Sequence, residues 1–170
     1  MRLKVLTDDS PILRQTALPV VDFGDVERLK RMVTDMRETL KDEGGIGLAA
    51  PQVGEDWRVI LVCSKGNPDG PMRVFVNPTI IWGLGFQVNV EGCLSVPRQN
   101  APVRRSMRVR LEAQSVNGKT FQHIASGLEA ACIQHEINHL EGKLFIDLPK
   151  DGYGVHDGVP EGADEGMTTP

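Results

Sequence analysis

The segment from Gly127 to Glu141 constrains the fold more than any other part of the chain. It reads as one helix. Ser126 and Glu129 have the spacing of a capping box, and Gly142 stands where a helix stops. Ala130, Ala131, Ile133, Ile137 and Leu140 make it mostly apolar, so it belongs inside the domain with other elements packed around it. Yet it also carries His135, Glu136 and His139. Buried imidazoles and carboxylates need partners. A fold that accepts this helix must therefore build a polar centre within its own core.

The run His135-Glu136-Ile137-Asn138-His139 says what that centre holds. Histidines at i and i+4 lie one turn apart on one face, so both imidazoles can converge on a single metal ion. Glu136 is turned about 100° around the axis, beside the ion and not on it, where a base for an attacking water belongs. A catalytic site needs a third ligand and an open position. Of the cysteines, Cys132 lies seven residues from His139, about 10.5 Å along a helix, and is better placed as a small core residue. Cys63 ends the apolar run Val59-Ile60-Leu61-Val62 and also reads as core. Cys93, in Glu91-Gly92-Cys93-Leu94-Ser95 just after a strand, is the best candidate, although spacing alone does not prove it. Two other readings fit the same helix: a zinc endopeptidase, and a structural metal site without turnover.

Other elements follow from periodicity. Pro11 to Pro19 is an irregular entry. Val26, Leu29, Val33, Met36 and Leu40 predict an amphipathic N-terminal helix over 23–43, with Asp22 as cap and Gly44–Gly45 as stop. Strands are expected over 57–63, 73–81 and 86–91, and a long one over 103–116. Asn117–Gly118 marks a hairpin returning through 119–125. The fold class is α+β: one domain, residues 1–149, with an antiparallel or mixed sheet packed around the central His-Glu helix. Residues 150–170 read as a disordered, acidic, glycine-rich tail.

The charge of −4 is concentrated in that tail, at Asp151, Asp157, Glu161, Asp164 and Glu165. The body is nearly neutral, which speaks against nucleic acid as a partner. Arg104, Arg105, Arg108 and Arg110 are expected to be solvated charges on a strand. No apolar run approaches the roughly 18 residues of a membrane span, and three cysteines without a leader argue against a disulfide framework. A cytoplasmic monomer is the expectation.

Three motifs together resemble peptide deformylase. They are Gly45-Ile46-Gly47-Leu48-Ala49-Ala50-Pro51-Gln52, then Glu91-Gly92-Cys93-Leu94-Ser95, then Gln134-His135-Glu136-Ile137-Asn138-His139. Ser10-Pro11-Ile12-Leu13-Arg14 is similar to the family's usual start, and the resemblance spans about residues 3–148. It implies removal of the formyl group from N-formyl-methionyl peptides, with release of formate. It implies one divalent metal on Cys93, His135 and His139 with water as fourth ligand: Fe²⁺ first, with Zn²⁺, Ni²⁺ or Co²⁺ able to substitute. Glu136 would be the acid/base, and Gln52 and the Leu94 backbone N–H the oxyanion donors. Gly45, Ile46, Gly47 and Gly92 would hold the peptide backbone, and Leu128, Ala131, Cys132 and His135 would line the methionine pocket. Glu91 would pair with Arg105 to buttress the Cys93 loop. The setting implied is the cytoplasm of a bacterial-type cell, or of a host cell if the gene is viral, with the ribosome as a transient partner. Two departures stand out. Asn138 replaces the usual Asp, and the residues from Asp151 lack the helical periodicity with which many bacterial members continue. The second points to a divergent or minimal member, of viral or organellar type.

Overall fold

The computed structural model describes residues 1–24 and 26–148. Helix α1 (Val26–Glu43) is followed by β1 (Gly47–Ala49), β2 (Val59–Cys63), β3 (Met72–Leu84), β4 (Gln87–Cys93), β5 (Val96–Arg105), β6 (Arg108–Gln114) and β7 (Thr120–Ser126). Helix α2 (Gly127–Leu140) comes last. Five strands form one sheet in the order β1-β2-β3-β6-β7, and β4 and β5 form a separate hairpin. All the strand pairs are antiparallel. The expected single α+β domain around the central helix is the one observed.

Strand β2 shows why its sequence is a continuous apolar run. Ile60 and Val62 face α2 together with Phe75, Val109, Leu111 and Ala125. Val59, Leu61 and Cys63 face the opposite way, onto Leu29, Met32, Val33, Met36 and Leu40 of α1. A strand buried on both faces loses the alternation of a half-exposed one. Helix α2 brings Ala130, Cys132, Ile133, Ile137 and Leu140 to the first cluster. The hairpin has a smaller core of its own, Val96 and Val103 against Leu144 and Phe145. Among the described residues no helix is long and apolar enough to cross a membrane.

Gly47 sets how closely β1 approaches α2. A Cβ there would overlap Glu136 Oε1 and Cys132 Sγ. Any larger residue would displace the Glu136 carboxylate and the Cys132 thiol from where the strand now admits them.

Four expectations are corrected. Helix α1 begins at Val26, not Phe23, and the Asp22 carboxylate accepts from the Gly24 amide at 2.6 Å. Ser126 makes no side-chain cap hydrogen bond; Glu129 instead accepts from the Lys65 backbone N–H at 2.8 Å and pairs with His123 at 2.8 Å. The long strand over 103–116 is two strands in different sheets. At the break the Ser106 amide donates to Gln134 Oε1 at 3.0 Å, and the Ser106 carbonyl accepts from Gln134 Nε2 at 3.0 Å. One side-chain amide thus satisfies both backbone groups, and the chain can leave one sheet and enter the other without an unpaired donor. Finally, Arg105 is not solvated: it is 2% exposed. The expected tail, residues 150–170, lies outside the described residues.

Candidate metal centre

Helical spacing brings His135 and His139 together, with ring centroids 5.1 Å apart. Strand β4 ends beside them. Cys93 Sγ lies 3.2 Å from His139 Nε2, and the ligand atoms of Cys93, His135 and His139 all fall within 4.8 Å of one another. Ligands at about 2.0–2.3 Å around one tetrahedral ion sit about 3.5 Å apart, so the three are arranged as one ion requires. The donor set and the geometry fit a divalent metal. Cys132, at the other end of the helix face, is buried and donates to the Ile46 carbonyl at 3.5 Å.

The charges around the centre also favour a cation. Burial alone would lower the His135 pKa, but hydrogen bonding to Cys93 and Glu91 outweighs it and raises the imidazole to about 10. Cys93 and Glu91 thus favour positive charge at His135. Binding an ion would displace that proton. His139 goes the opposite way: burial and the neighbouring His135 lower it well below the ordinary value, leaving a neutral imidazole suited to a ligand. Its Nδ1 is buried without a partner among the described residues.

Glu91 is the functional residue that motif reading placed only in part. Its carboxylate takes two hydrogen bonds from Arg105, both 2.8 Å, and also accepts from His135 Nδ1 at 2.8 Å. That contact fixes the tautomer and leaves His135 Nε2 for the metal. Strand alternation carried the signal, because residues 91 and 93 share a face of β4. Arg105 also donates to Asn138 Oδ1. Ser95 was likewise missed: it accepts from Gln52 Nε2 at 3.1 Å.

Burial would raise the Glu91 carboxyl, but Arg105 and His135 overcome it and hold the pKa at about 2, against an ordinary 4.5. A carboxylate depressed by folding stabilises the fold fully above its ordinary pKa and loses that contribution as pH falls towards the folded value. Acid titration of the unfolding free energy should therefore fall between pH about 4.5 and about 2, and Glu91→Gln should flatten that limb.

The remaining candidates surround one cleft of about 410 Å³. Gly45, Ile46 and Gly47 form one wall, Gly92, Cys93 and Leu94 the other. Leu128, Ala131, Cys132, His135 and Glu136 line it from α2. Gln52 reaches in with its Oε1 anchored on the Ala49 amide at 2.8 Å and its Nε2 3.6 Å from Cys93 Sγ. Glu136 is buried, its pKa pushed up to about 7 by desolvation, and its Oε2 has no partner among the described residues. The arrangement offers three side chains that could hold a metal ion, a buried carboxylate with one oxygen unpartnered among the described residues, and an amide donor beside Cys93.

The model of the polypeptide deformylase family matches residues 2–152. A peptide deformylase of Dictyoglomus thermophilum is 44% identical over 137 residues, 81% of this chain and 86% of that one. The structure of a class I type b peptide deformylase from Acinetobacter baumannii with Met-Ala-Ser bound superimposes with a TM-score of 0.80 at 34% identity, covering 86% of this chain and 97% of that one. A probable peptide deformylase from Synechococcus phage S-SSM7 superimposes at 0.78 with 39% identity, covering 85% and 98%.

Proposed function

The chain belongs to the polypeptide deformylase family, and on that premise we propose that Cys93, His135 and His139 hold one divalent metal while Glu136 moves the proton in removing the formyl group from nascent peptides. The observation that carries this reading is the convergence of the three ligand atoms beside a buried carboxylate with one oxygen unpartnered among the described residues. A metal here supplies Lewis-acid polarisation of the formyl group and a water that is acidic near neutral pH.

The chain's own groups do the rest. A carboxyl at about 7 is poised to take a proton from water and return it near neutral pH. Glu136 takes the proton of the attacking water and delivers it to the amide nitrogen as the C–N bond breaks. Formate and a peptide with a free amino group leave. Gln52 Nε2 and the Leu94 backbone N–H donate to the formyl oxygen as it gains negative charge. Strand β1 is an edge of its sheet. The backbone of Gly45, Ile46 and Gly47, facing that of Gly92, can take an extended peptide as an added strand. The methionine side chain then enters between Leu128, Ala131 and Cys132, above His135.

Fe²⁺ is the proposed native metal, with Zn²⁺, Ni²⁺ and Co²⁺ as substitutes, since a mixed sulfur and imidazole set accepts all four. The proposed setting is the cytoplasm, as a monomer that meets formyl-methionyl chains at the ribosome. Formate release from formyl-Met-Ala-Ser by anaerobically prepared, Fe²⁺-loaded protein tests the assignment. Release that chelation abolishes and each metal restores to its own degree is expected; no release from folded, metal-loaded protein would overturn it. Gln52→Ala should lower kcat about 10²–10³-fold in the same assay, the usual effect of losing one oxyanion donor.

A further inference from the structure

Strand β4 turns a polar face inward. Val88 and Val90 point to solvent, 60% and 76% exposed, so Gln87, Asn89 and Glu91 face the protein. Two of these have partners on α2. Gln87 Nε2 donates to the Gly127 carbonyl at 2.7 Å, and Glu91 accepts from His135 at 2.8 Å. The strand therefore runs alongside the helix from residue 127 to residue 135, and the midpoint, Asn89, comes abreast of Ala131. Four residues of strand and eight of helix both span about 12–13 Å, so the alignment is metrically consistent.

Asn89 is the odd member of the set. It lines the cleft with Leu128, Ala131 and Cys132, yet its Nδ2 is buried without a hydrogen-bond partner among the described residues. A buried amide donor left unpaired carries its full desolvation penalty. An acceptor on a bound molecule removes that penalty. Ala131 contributes only a methyl group, which leaves room for an acceptor between the helix and the strand.

We propose that Asn89 is a specificity-determining residue whose Nδ2 donates a hydrogen bond to an acceptor at the end of the substrate's first side chain. The pocket then takes formyl peptides that begin with methionine sulfoxide, whose oxygen is a strong acceptor, as well as those that begin with methionine. The inference rests on the reading that the first side chain of a formyl peptide enters this cleft.

The test compares kcat/KM for formyl-methionine-sulfoxide-Ala-Ser with that for formyl-norleucine-Ala-Ser, which has similar length and no acceptor. The ratio of the two is read in the parent chain, in Asn89→Val and in Asn89→Ala. A fall of about tenfold in both variants is expected, the value of one good hydrogen bond. Taking the ratio within each protein cancels differences in metal loading or folding. For a variant too slow to assay, the same ratio comes from dissociation constants of the two deformylated peptides. An equal ratio in all three proteins overturns the proposal and leaves Asn89 as plain lining. Failure of the parent chain to release formate from formyl-Met-Ala-Ser is a different result, and it overturns the underlying reading instead.

Discussion

Glu136→Gln is expected to lower kcat by about 10²–10⁴ while metal content stays at the parent level. The substitution keeps the shape of the side chain and removes its ability to take a proton. Glu136 is outside the cluster Cys93, His135 and His139; its Oε2 is buried without a partner among the described residues, and burial holds its carboxyl at about 7. An amide in that place can hold neither the charge nor the proton. KM should change little, because the peptide backbone and first side chain are held by other residues. Metal analysis and formate release on the same preparation decide the matter. Wild-type turnover in Glu136→Gln would remove Glu136 from the mechanism, whereas a variant that loses its metal would make it a structural residue.

Arg105→Met is expected to cost about 3–5 kcal/mol of stability, the usual result of removing one partner from a buried ion pair. The Arg105 side chain is fully enclosed, with 0% of its surface exposed, and Glu91 beside it is 9% exposed. Without the guanidinium, the Glu91 carboxylate keeps only His135, and Asn138 Oδ1 loses its donor. Denaturant unfolding measures the loss. The double variant Glu91→Leu/Arg105→Met separates two roles of the pair. Replacing both charges by apolar groups should recover much of the stability. It should not recover metal affinity, because His135 Nδ1 has then lost the acceptor that orients the ring. A double variant that binds metal as tightly as the parent would show that Glu91 serves the fold alone.

Asn138 can be understood from the same cluster. An aspartate there would add a second carboxylate to Arg105; the asparagine offers an acceptor without charge, so Arg105 is balanced by Glu91.

The two histidines and Glu136 were legible because their relation is local: a helix fixes which residues share a face within two turns. Cys93 was reachable only as the best of three cysteines, since 42 residues separate it from His135 and spacing carries no information over that distance. The role of Glu91 on His135 lay within reach, because alternation puts residues 91 and 93 on one side of a strand. Asn89 did not, because its meaning depends on how β4 lies along α2. The break at Ser106 was hidden for a similar reason. Its backbone partners are on the Gln134 side chain, 28 residues away, and nothing local to residues 103–116 announces them. Arg105 misled by its neighbours: in a run of basic residues, the one that turns inward is distinguished only by the carboxylate waiting for it.

The order of elements along the chain also bears on how the protein comes to be made. Helix α2 fills the main core, yet every strand it covers precedes it. As synthesis proceeds at about 5–20 residues per second, the sheet emerges with Ile60, Val62, Phe75, Val109 and Leu111 facing nothing. The nascent chain therefore carries an open apolar surface until residue 140 is clear, a window of seconds in which chaperones can compete with folding. The last turn of the same helix delivers His139, so closing the core also completes the proposed ligand set. An incompletely synthesised chain would have neither.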